Sequence, residues 1–220
     1  MAQAKLKLGV LISGGGTNLQ ALIDACANSD FPAEIALVLS NIPDAFGLQR
    51  AKKSGISTSI INHKDFEDRD GFEAAMTAEL KDAGVELVCL AGFMRILNNT
   101  FVGAWRDRMI NIHPSILPAF KGLHTHDRVV QEGVKFSGCT VHFVVPDLDS
   151  GPIIIQAVVP VNGDDTGETL GERVLEMEHK IYPEAIRLIA TKSIRVANGR
   201  VQINDGNYAV DGVINPALVN

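Results

Sequence analysis

The segment LKLGVLISGGGTNLQALIDA, residues 6–25, decides the fold class. Its first seven residues are almost continuously apolar, which is typical of a buried strand in a parallel sheet. The glycines at positions 14 to 16 predict a tight turn, and the apolar residues from Leu19 onward recur at helical spacing. A strand, a glycine turn and a helix in this order indicate an α/β protein.

The same alternation continues along the chain. Further strands are predicted at residues 34–39, 57–61, 85–90, 109–112, 138–145 and 153–161, and further helices at residues 45–53, 70–83 and 169–190. Alternating residues around Asn198-Gly199 predict a terminal β-hairpin with a type I′ turn. We therefore expect one Rossmann-like α/β domain over residues 1–220, with a mostly parallel central sheet flanked by helices and mixed C-terminal strands.

Composition excludes several functional classes. Hydrophobic residues make up 46% of the 220 and charged residues 21%, as in an ordinary folded domain. The net charge of -6 gives no basic face for nucleic acid or anionic lipid, and no apolar run is long enough to span a membrane. Cys26, Cys89 and Cys139 are too far apart to indicate a disulfide framework or a zinc site. We expect a cytoplasmic protein with small-molecule partners.

The loop Ser13–Asn18 follows the first strand and precedes a helix, a place where free backbone N–H groups can bind a phosphate. A dinucleotide fold would need a glycine where Leu19 stands and an acid after the second strand, where the chain has Ser40-Asn41. The P-loop pattern also fails, because no Lys-Ser/Thr follows the glycines. Two interpretations stay open: a phosphate monoester site, or a plain turn in which Thr17 or Asn18 caps the helix.

In the stretch RMINIHPSILPAF, residues 108–120, Asn111 and His113 lie two positions apart on a strand that should be apolar. Side chains two apart point to the same face, and in open α/β sheets the ligand crevice lies beyond the carboxyl ends of the strands. An amide and an imidazole there can stabilise negative charge and move protons. The alternative is a buried histidine that serves packing alone.

The next strand supplies possible partners. Thr140 and His142 alternate on one face, and the following loop PDLDSGP carries Asp147 and Asp149 at the carboxyl end of that strand. A carboxylate beside an imidazole fixes its tautomer and favours its cationic form. An amide, an imidazole and a carboxylate from consecutive strand ends predict acyl transfer without a covalent nucleophile. Ser115 lacks the G-x-S-x-G surroundings of a serine hydrolase.

Four further positions invite weaker interpretations. His124 and His126 resemble metal ligands, but no third ligand stands at a recognisable spacing and HExxH and CxxC are absent, so we expect no metal and a role in lining or shaping the site. Glu178 and His179 precede Tyr182-Pro183 on the last helix, where an exposed helix face is the simplest expectation for both.

Together, the motifs ISGGGTN, LAGFMRIL, NIHPSILP, GLHTH, VHFV and LDSGPII resemble those of the phosphoribosylglycinamide formyltransferase family. The likeness runs from about Leu8 to Tyr182. Its blocks from Leu90 to Gly151 are shared with relatives that handle formyl-folates, whereas the SGGGTN loop is specific to this family. The resemblance implies direct transfer of the formyl group of 10-formyltetrahydrofolate, the cosubstrate, to the amine of glycinamide ribonucleotide through a tetrahedral intermediate, by a monomer or homodimer.

The resemblance also assigns roles. It implies a nucleotide-binding half at about residues 1–105 and a folate-binding, catalytic half at about 106–220. The implied catalytic residues are Asn111, His113 and Asp149, and the implied nucleotide-binding residues are Gly16, Thr17, Asn18, Leu175, Glu176, Met177 and Glu178. The implied folate-binding residues are Arg69, Met94, Arg95, Ile96, Leu97, Asn111, Val145, Pro146, Asp147, Leu148 and Asp149. His124, Thr140 and His142 are implied as supporting residues.

Two positions depart from the family pattern, and several rival functions remain. Thr17 stands where some members have serine, which keeps the hydroxyl, and Lys121 stands where proline is common. A methionyl-tRNA formyltransferase is expected to add a basic C-terminal domain, and a formyltetrahydrofolate hydrolase an N-terminal regulatory domain. A folate- or nucleotide-binding module without catalysis, and a nicotinamide oxidoreductase, are more distant alternatives.

Overall fold

The computed structural model describes residues 4–204 and 215. Its strands are β1 (Leu6–Ile12), β2 (Ala33–Ser40), β3 (Thr58–Ile60), β4 (Leu87–Leu90), β5 (Met109–His113), β6 (Phe136–Phe143), β7 (Ile153–Pro160), β8 (Ile194–Ala197) and β9 (Arg200–Ile203). Its α-helices are α1 (Thr17–Cys26), α2 (Phe46–Lys53), α3 (Arg69–Asp82), α4 (Asn99–Ala104), α5 (Thr125–Glu132) and α6 (Gly167–Ala190). A 3₁₀ turn covers His63–Asp65.

Seven strands form the central sheet in the order β3-β2-β1-β4-β5-β6-β7. The strands from β1 to β5 pair in parallel, β6 runs antiparallel to β5, and β7 runs antiparallel to β6. Strands β8 and β9 form a separate antiparallel pair whose turn residues Asn198 and Gly199 have φ of 52° and 71°. Positive φ at both turn residues is what a type I′ turn requires. The predicted fold class is confirmed.

The central strand β1 is buried on both faces from Leu8 to Ile12, which explains why this part of it carries no polar side chain. Leu8, Val10 and Ile12 pack into the cluster that includes residues of α1, α2 and α6. Leu11 faces the opposite cluster, which includes residues of α3 and α4. Because helices cover both faces, the side chains from Leu8 to Ile12 are apolar whichever way they point.

The longest element is α6, with 24 residues. A reciprocal capping box starts it: Thr169 N donates to Thr166 Oγ1 at 3.2 Å, and Thr166 N donates to Thr169 Oγ1 at 3.0 Å. The helix contacts α1 and β2 from the early part of the chain and α5, β6, β7 and β8 from the later part. It therefore packs against both halves of the sheet.

The short helices α4 and α5 were not predicted, and several boundaries differ from the expected ones by one or two residues. Helix α4 depends on its cap, because Asn98 Oδ1 accepts from Phe101 N at 2.7 Å. Among the described residues, no helix combines the length and the apolar character that a membrane-spanning segment needs.

Candidate active site

A buried polar cluster lies on one side of β5 and β6. Asn111 is paired directly with His142, and His113 with Thr140, in the antiparallel register of the two strands. His113 Nδ1 lies 3.5 Å from Asp149 Oδ2, and His142 Nε2 lies 3.9 Å from Asp149 Oδ1. Asn111 Nδ2 lies 3.3 Å from His142 Nε2. The structure thus brings together the amide, both imidazoles and the carboxylate that the sequence singled out.

The route by which Asp149 reaches the cluster differs from the expected one. Because β6 is antiparallel to β5, its carboxyl end lies at the amino end of β5, where Val144 N donates to Met109 O at 2.9 Å. The idea that consecutive strand ends meet at one edge is therefore wrong for β6. The loop of residues 144–152 instead folds back, and Asp149 adopts a left-handed φ of 48°.

The residues of this loop differ in their exposure to solvent. Asp149 is 9% exposed, whereas Pro146, Asp147 and Leu148 are exposed and Val145 is half-buried. Of the two candidate carboxylates, only Asp149 contacts the imidazoles.

Backbone atoms of residues 120–122 hold both members of the His113–Asp149 pair. His113 Nε2 lies 2.9 Å from Phe120 O, and Gly122 N donates to Asp149 Oδ2 at 2.9 Å. A carbonyl oxygen only accepts, so Nε2 carries the ring proton of neutral His113. Nδ1 is then the nitrogen that faces Asp149, and a second proton placed there would be shared with the carboxylate.

Lys121, which replaces a common proline, does not loosen this segment. Lys121 Nζ donates to Ser150 Oγ, which joins the loop to the neighbour of Asp149. Arg128 Nη1 donates to Lys121 O at 2.7 Å, and the Arg128 guanidinium lies 5.5 Å from the centroid of the Phe120 ring. Both sides of the segment are thereby anchored.

Thr140 fixes the chain directly after His113. Its hydroxyl donates to Ser115 O at 2.7 Å and accepts from Leu117 N at 3.1 Å. The Ser115 hydroxyl is fully buried and donates to Ala119 O at 2.7 Å. A serine hydroxyl held in this way is not placed as a nucleophile, in agreement with the sequence pattern.

The glycine loop is held by close packing against α2. Gly16 has φ 69°, and a Cβ there would stand 2.8 Å from Gly47 Cα, so any side chain would collide with the backbone. Helix α1 begins at Thr17 with no side-chain capping bond. The interpretation in which Thr17 or Asn18 caps the helix is therefore wrong, and its first N–H groups lack a side-chain cap.

Asn18 links this loop to α6. Asn18 Nδ2 donates to Glu178 Oε2 at 2.7 Å, and Glu178 is 7% exposed. The expectation of an exposed helix face is wrong for Glu178, because α6 packs this face against α1. Burial raises the pKa of Glu178, and the hydrogen bond from Asn18 opposes that shift.

The neighbours of Glu178 point in different directions. Leu175 and Met177 are half-buried, whereas Glu176, two positions before Glu178 and so on the far side of the helix, is exposed. His179 is half-buried, and burial lowers its pKa.

An open cavity of about 450 Å³ lies beside the start of α1 and is lined by Thr17, Gln20, Ala21, Asp24, Arg50 and His179.

The segment Met94–Leu97 lies next to the glycine loop. Ser13 Oγ accepts from Met94 N at 2.8 Å and donates to Asn41 Oδ1 at 2.6 Å. Met94 and Ile96 are 69% and 68% exposed, and Leu148 of the returning loop is 57% exposed. Large apolar side chains left open to solvent beside a polar cluster are typical of a ligand-binding surface.

Glu73 is a buried carboxylate, 3% exposed, and it holds the start of α4. The backbone N–H of Asn98 is shared between its two oxygens, at 3.0 Å from Oε1 and 3.1 Å from Oε2. Burial raises the pKa of Glu73, and the charges of Arg69 and Arg95 act in the opposite direction. Arg69 therefore lies near the segment with which the resemblance grouped it, while Leu97 is half-buried.

His124 and His126 lie in different surroundings. His124 is exposed at the start of α5, and His126 packs toward α6, where a Cβ on Gly171 would lie 3.1 Å from its Cδ2. Burial lowers the pKa of His126. Within residues 4–204 and 215, no group of three or more His, Cys, Asp or Glu side chains is arranged to hold a metal ion.

Sequence reasoning missed several contacts that shape this site. Ser13 and Asn41 directly follow β1 and β2, so their position at the strand ends was a usable signal. Phe120 and Gly122 act through backbone atoms, and the pattern of side chains in the sequence does not reveal such contacts. Arg50 donates to Gly15 O at 2.9 Å from α2, and nothing in the sequence pattern of that helix marks it.

In a comparison against known families, residues 6–186 match the formyl transferase model. The chain belongs to the formyl transferase family. It is 41% identical to phosphoribosylglycinamide formyltransferase of Escherichia coli over 94% of both chains. It also superposes on glycinamide ribonucleotide transformylase 1 from Symbiobacterium toebii with a TM-score of 0.89, at 47% identity over 91% of this chain and 95% of that one.

A longer relative matches as well. The chain is 50% identical over 198 residues to the trifunctional purine biosynthetic protein adenosine-3 of Bos taurus, and this match covers 90% of the chain. The chain spans 20% of the length of that relative.

Proposed function

We propose that the chain transfers the formyl group of 10-formyltetrahydrofolate to the amine of glycinamide ribonucleotide in purine biosynthesis, giving formylglycinamide ribonucleotide and tetrahydrofolate. The convergence of Asn111, His113 and Asp149 carries the proposal. It is supported by the E. coli relative of similar length, whose name states this activity. No covalent intermediate with the protein is required, because the cluster presents donors and a carboxylate but no free nucleophile.

Attack of the amine on the formyl carbon creates a negative oxygen that needs hydrogen-bond donors. The amide N–H of Asn111 and the protonated ring of His113 would supply them, each worth about 3 kcal/mol of transition-state stabilisation when well placed. Because His113 Nε2 faces Phe120 O, Nδ1 is the atom that can turn toward the substrate. Nδ1 lies 3.5 Å from Asp149 Oδ2, longer than a direct hydrogen bond, so its hydrogen stays available to the substrate while the carboxylate remains close.

Proton balance assigns the remaining role to Asp149. The attacking amine loses one proton and the leaving nitrogen of the folate gains one, so the reaction as a whole needs none. Asp149, held by Gly122 N, would keep His113 charged and relay the proton through water between the two nitrogens. Catalysis then consists mainly of positioning two substrates and placing charge.

The nucleotide would bind at the start of α1. Backbone N–H groups of Gly16, Thr17 and Asn18 suit a phosphate, since a helix start without a side-chain cap attracts anions. Glu178 and its hydrogen bond to Asn18 would face the ribose side. We include the preceding turn, Leu175, Glu176 and Met177, although the exposed Glu176 points away from Glu178.

The folate would bind along Met94–Leu97 and the loop of residues 145–149, with Arg69 at its edge. The exposed side chains of Met94, Ile96 and Leu148 support this placement, because a flat aromatic ring system needs apolar cover. His124 and His142 are assigned supporting roles, as is Thr140 through its bonds to the chain after His113.

We also propose that the protein is cytoplasmic, acts on small molecules rather than nucleic acid or membranes, needs no metal, and works as a monomer or homodimer. The free thiols of Cys26, Cys89 and Cys139 support a reducing compartment. The contacts of α6 with both halves support a single domain over residues 1–220.

A spectroscopic assay of formyl-folate consumption tests the function. We expect formyl loss only when glycinamide ribonucleotide is present, with one formylated nucleotide formed per tetrahydrofolate. Formyl loss at the same rate without the nucleotide would contradict the transferase and identify a formyltetrahydrofolate hydrolase. Binding of both substrates without turnover would identify a binding module.

The Thr17→Val variant tests the phosphate site. Loss of the hydroxyl at the start of α1 is expected to raise the KM for glycinamide ribonucleotide about tenfold, the effect of one hydrogen bond to a charged group. The KM for the folate should change less than about twofold. Thr58→Val, the same change in β3, is the matched control and should leave both constants unaltered. A larger change in the folate KM would refute the placement of the nucleotide.

A further inference from the structure

We propose that His142 is a positioning residue that orients the side-chain amide of Asn111 toward the formyl group. The two residues are direct partners across the β5–β6 pair, on the same side of the sheet. Asn111 Nδ2 and His142 Nε2 lie 3.3 Å apart, and His142 is 2% exposed while Asn111 is half-buried. The imidazole is thus the inner member of the pair and the amide the member nearer solvent. The inference rests on the proposed function.

The backbone fixes which nitrogen of His142 carries the proton. His142 Nδ1 lies 2.9 Å from Phe143 O, which only accepts, so Nδ1 holds the ring hydrogen and Nε2 presents a lone pair. His113 has the opposite tautomer, because its Nε2 faces Phe120 O. The two rings beside Asp149 are therefore protonated on different atoms and serve different purposes.

A lone pair on Nε2 decides how the Asn111 amide is turned. Its NH₂ group must face Nε2, because the amide oxygen would place two acceptors against each other. The nitrogen has two hydrogens, so one bonds His142 and the other is free to donate to the developing oxyanion. Without this partner the amide could turn by 180° and present its oxygen to negative charge.

The charges around His142 support a neutral ring. Burial is the main cause that lowers its pKa, and the charges of His113 and Lys121 act in the same direction. Phe143 O and the carboxylate of Asp149, 3.9 Å from Nε2, oppose them. Protonation at low pH would put a hydrogen on Nε2 against the NH₂ of Asn111. The orienting bond would be lost.

Nitrogen-15 NMR of the free protein tests the arrangement without any assay. We expect His142 to be neutral with its proton on Nδ1 at pH 7, and His113 Nε2 to be protonated. A cationic His142, or a proton on its Nε2 at pH 7, would overturn the proposal. The experiment does not depend on turnover, so it separates failure of this inference from failure of the proposed function.

Two variants then test the consequence. His142→Leu removes the acceptor and is expected to lower kcat about tenfold or more with KM for both substrates within about threefold. His142→Gln offers an acceptor that cannot be protonated, so it should recover most of kcat. In the wild type, kcat should fall at low pH with the NMR-measured pKa of His142, and His142→Gln should lose this acid limb of the pH profile. His63→Gln, at a half-buried histidine in the 3₁₀ turn away from β6, is the control and should keep that limb. Equal kcat in all forms, or an unchanged limb in His142→Gln, would refute the role.

Discussion

Formyl transfer by the His113→Ala and Asp149→Asn variants is expected to fall by at least a hundredfold in kcat, with smaller changes in KM. The imidazolium and its carboxylate act on charge that exists only in the transition state, so their loss raises the barrier rather than weakening ground-state binding. A hundredfold loss corresponds to about 2.7 kcal/mol. Steady-state kinetics with both substrates varied measures the effect.

The double variant sharpens this test. If His113 and Asp149 work as one unit, removing both should cost little more than removing one. Asp164→Asn, which removes the same charge from an exposed loop, is the matched control and should transfer at the wild-type rate. Variants of both residues that stay within about tenfold of the wild type, a barrier change below 1.4 kcal/mol, would show that the catalytic roles are misassigned.

The Gly151→Ala variant is expected to lose both stability and activity. A Cβ on Gly151 would stand 1.7 Å from Phe143 O, a backbone atom of β6 that has no freedom to move aside. The loop of residues 144–152 would have to shift as a whole. Asp149, two positions earlier, would leave its contacts with His113 and Gly122. We expect a loss of more than about 3 kcal/mol in the free energy of unfolding, the upper end for overpacking.

Thermal unfolding and kinetics together measure this outcome. In a chain of this length, about 3 kcal/mol lowers Tm by roughly 6–12 °C. Gly163→Ala is the control, because a Cβ there would meet nothing within 4 Å. A Gly151→Ala protein with wild-type Tm and kcat would mean that the loop has another way to place Asp149.

The central strands β1, β2 and β4 could be predicted from the sequence because burial on both faces leaves a nearly continuous apolar run. The hairpin could be predicted because Asn198-Gly199 suits a backbone with two positive φ values. Helices α4 and α5 could not. Helix α5 is a polar eight-residue segment with only Thr125 and Val129 buried, so its periodicity is too weak to recognise.

The candidate site could be predicted only where a residue type is unusual for its position in the sequence. Asn111 and His113 could be recognised because two polar residues on the same face of an otherwise apolar strand indicate a functional role. Apart from the family resemblance, nothing in the residue pattern distinguished Asp149 from Asp147, since the choice depends on the left-handed backbone at Asp149 and on the loop that folds back. The direction of β6 was likewise open, because the 22 residues between β5 and β6, 114–135, are enough for either a crossover or a return.

The course of α6 has a consequence for how this family could exchange parts. Helix α6 packs against α1 and β2 as well as against β6 and β7. In a chimera of two relatives joined near residue 105, α6 from one parent would pack against α1 and β2 from the other, and these surfaces would not be matched. A division at that point therefore does not separate two independently packed units. Recombination would preserve the enzyme only where the helix and everything it touches travel together.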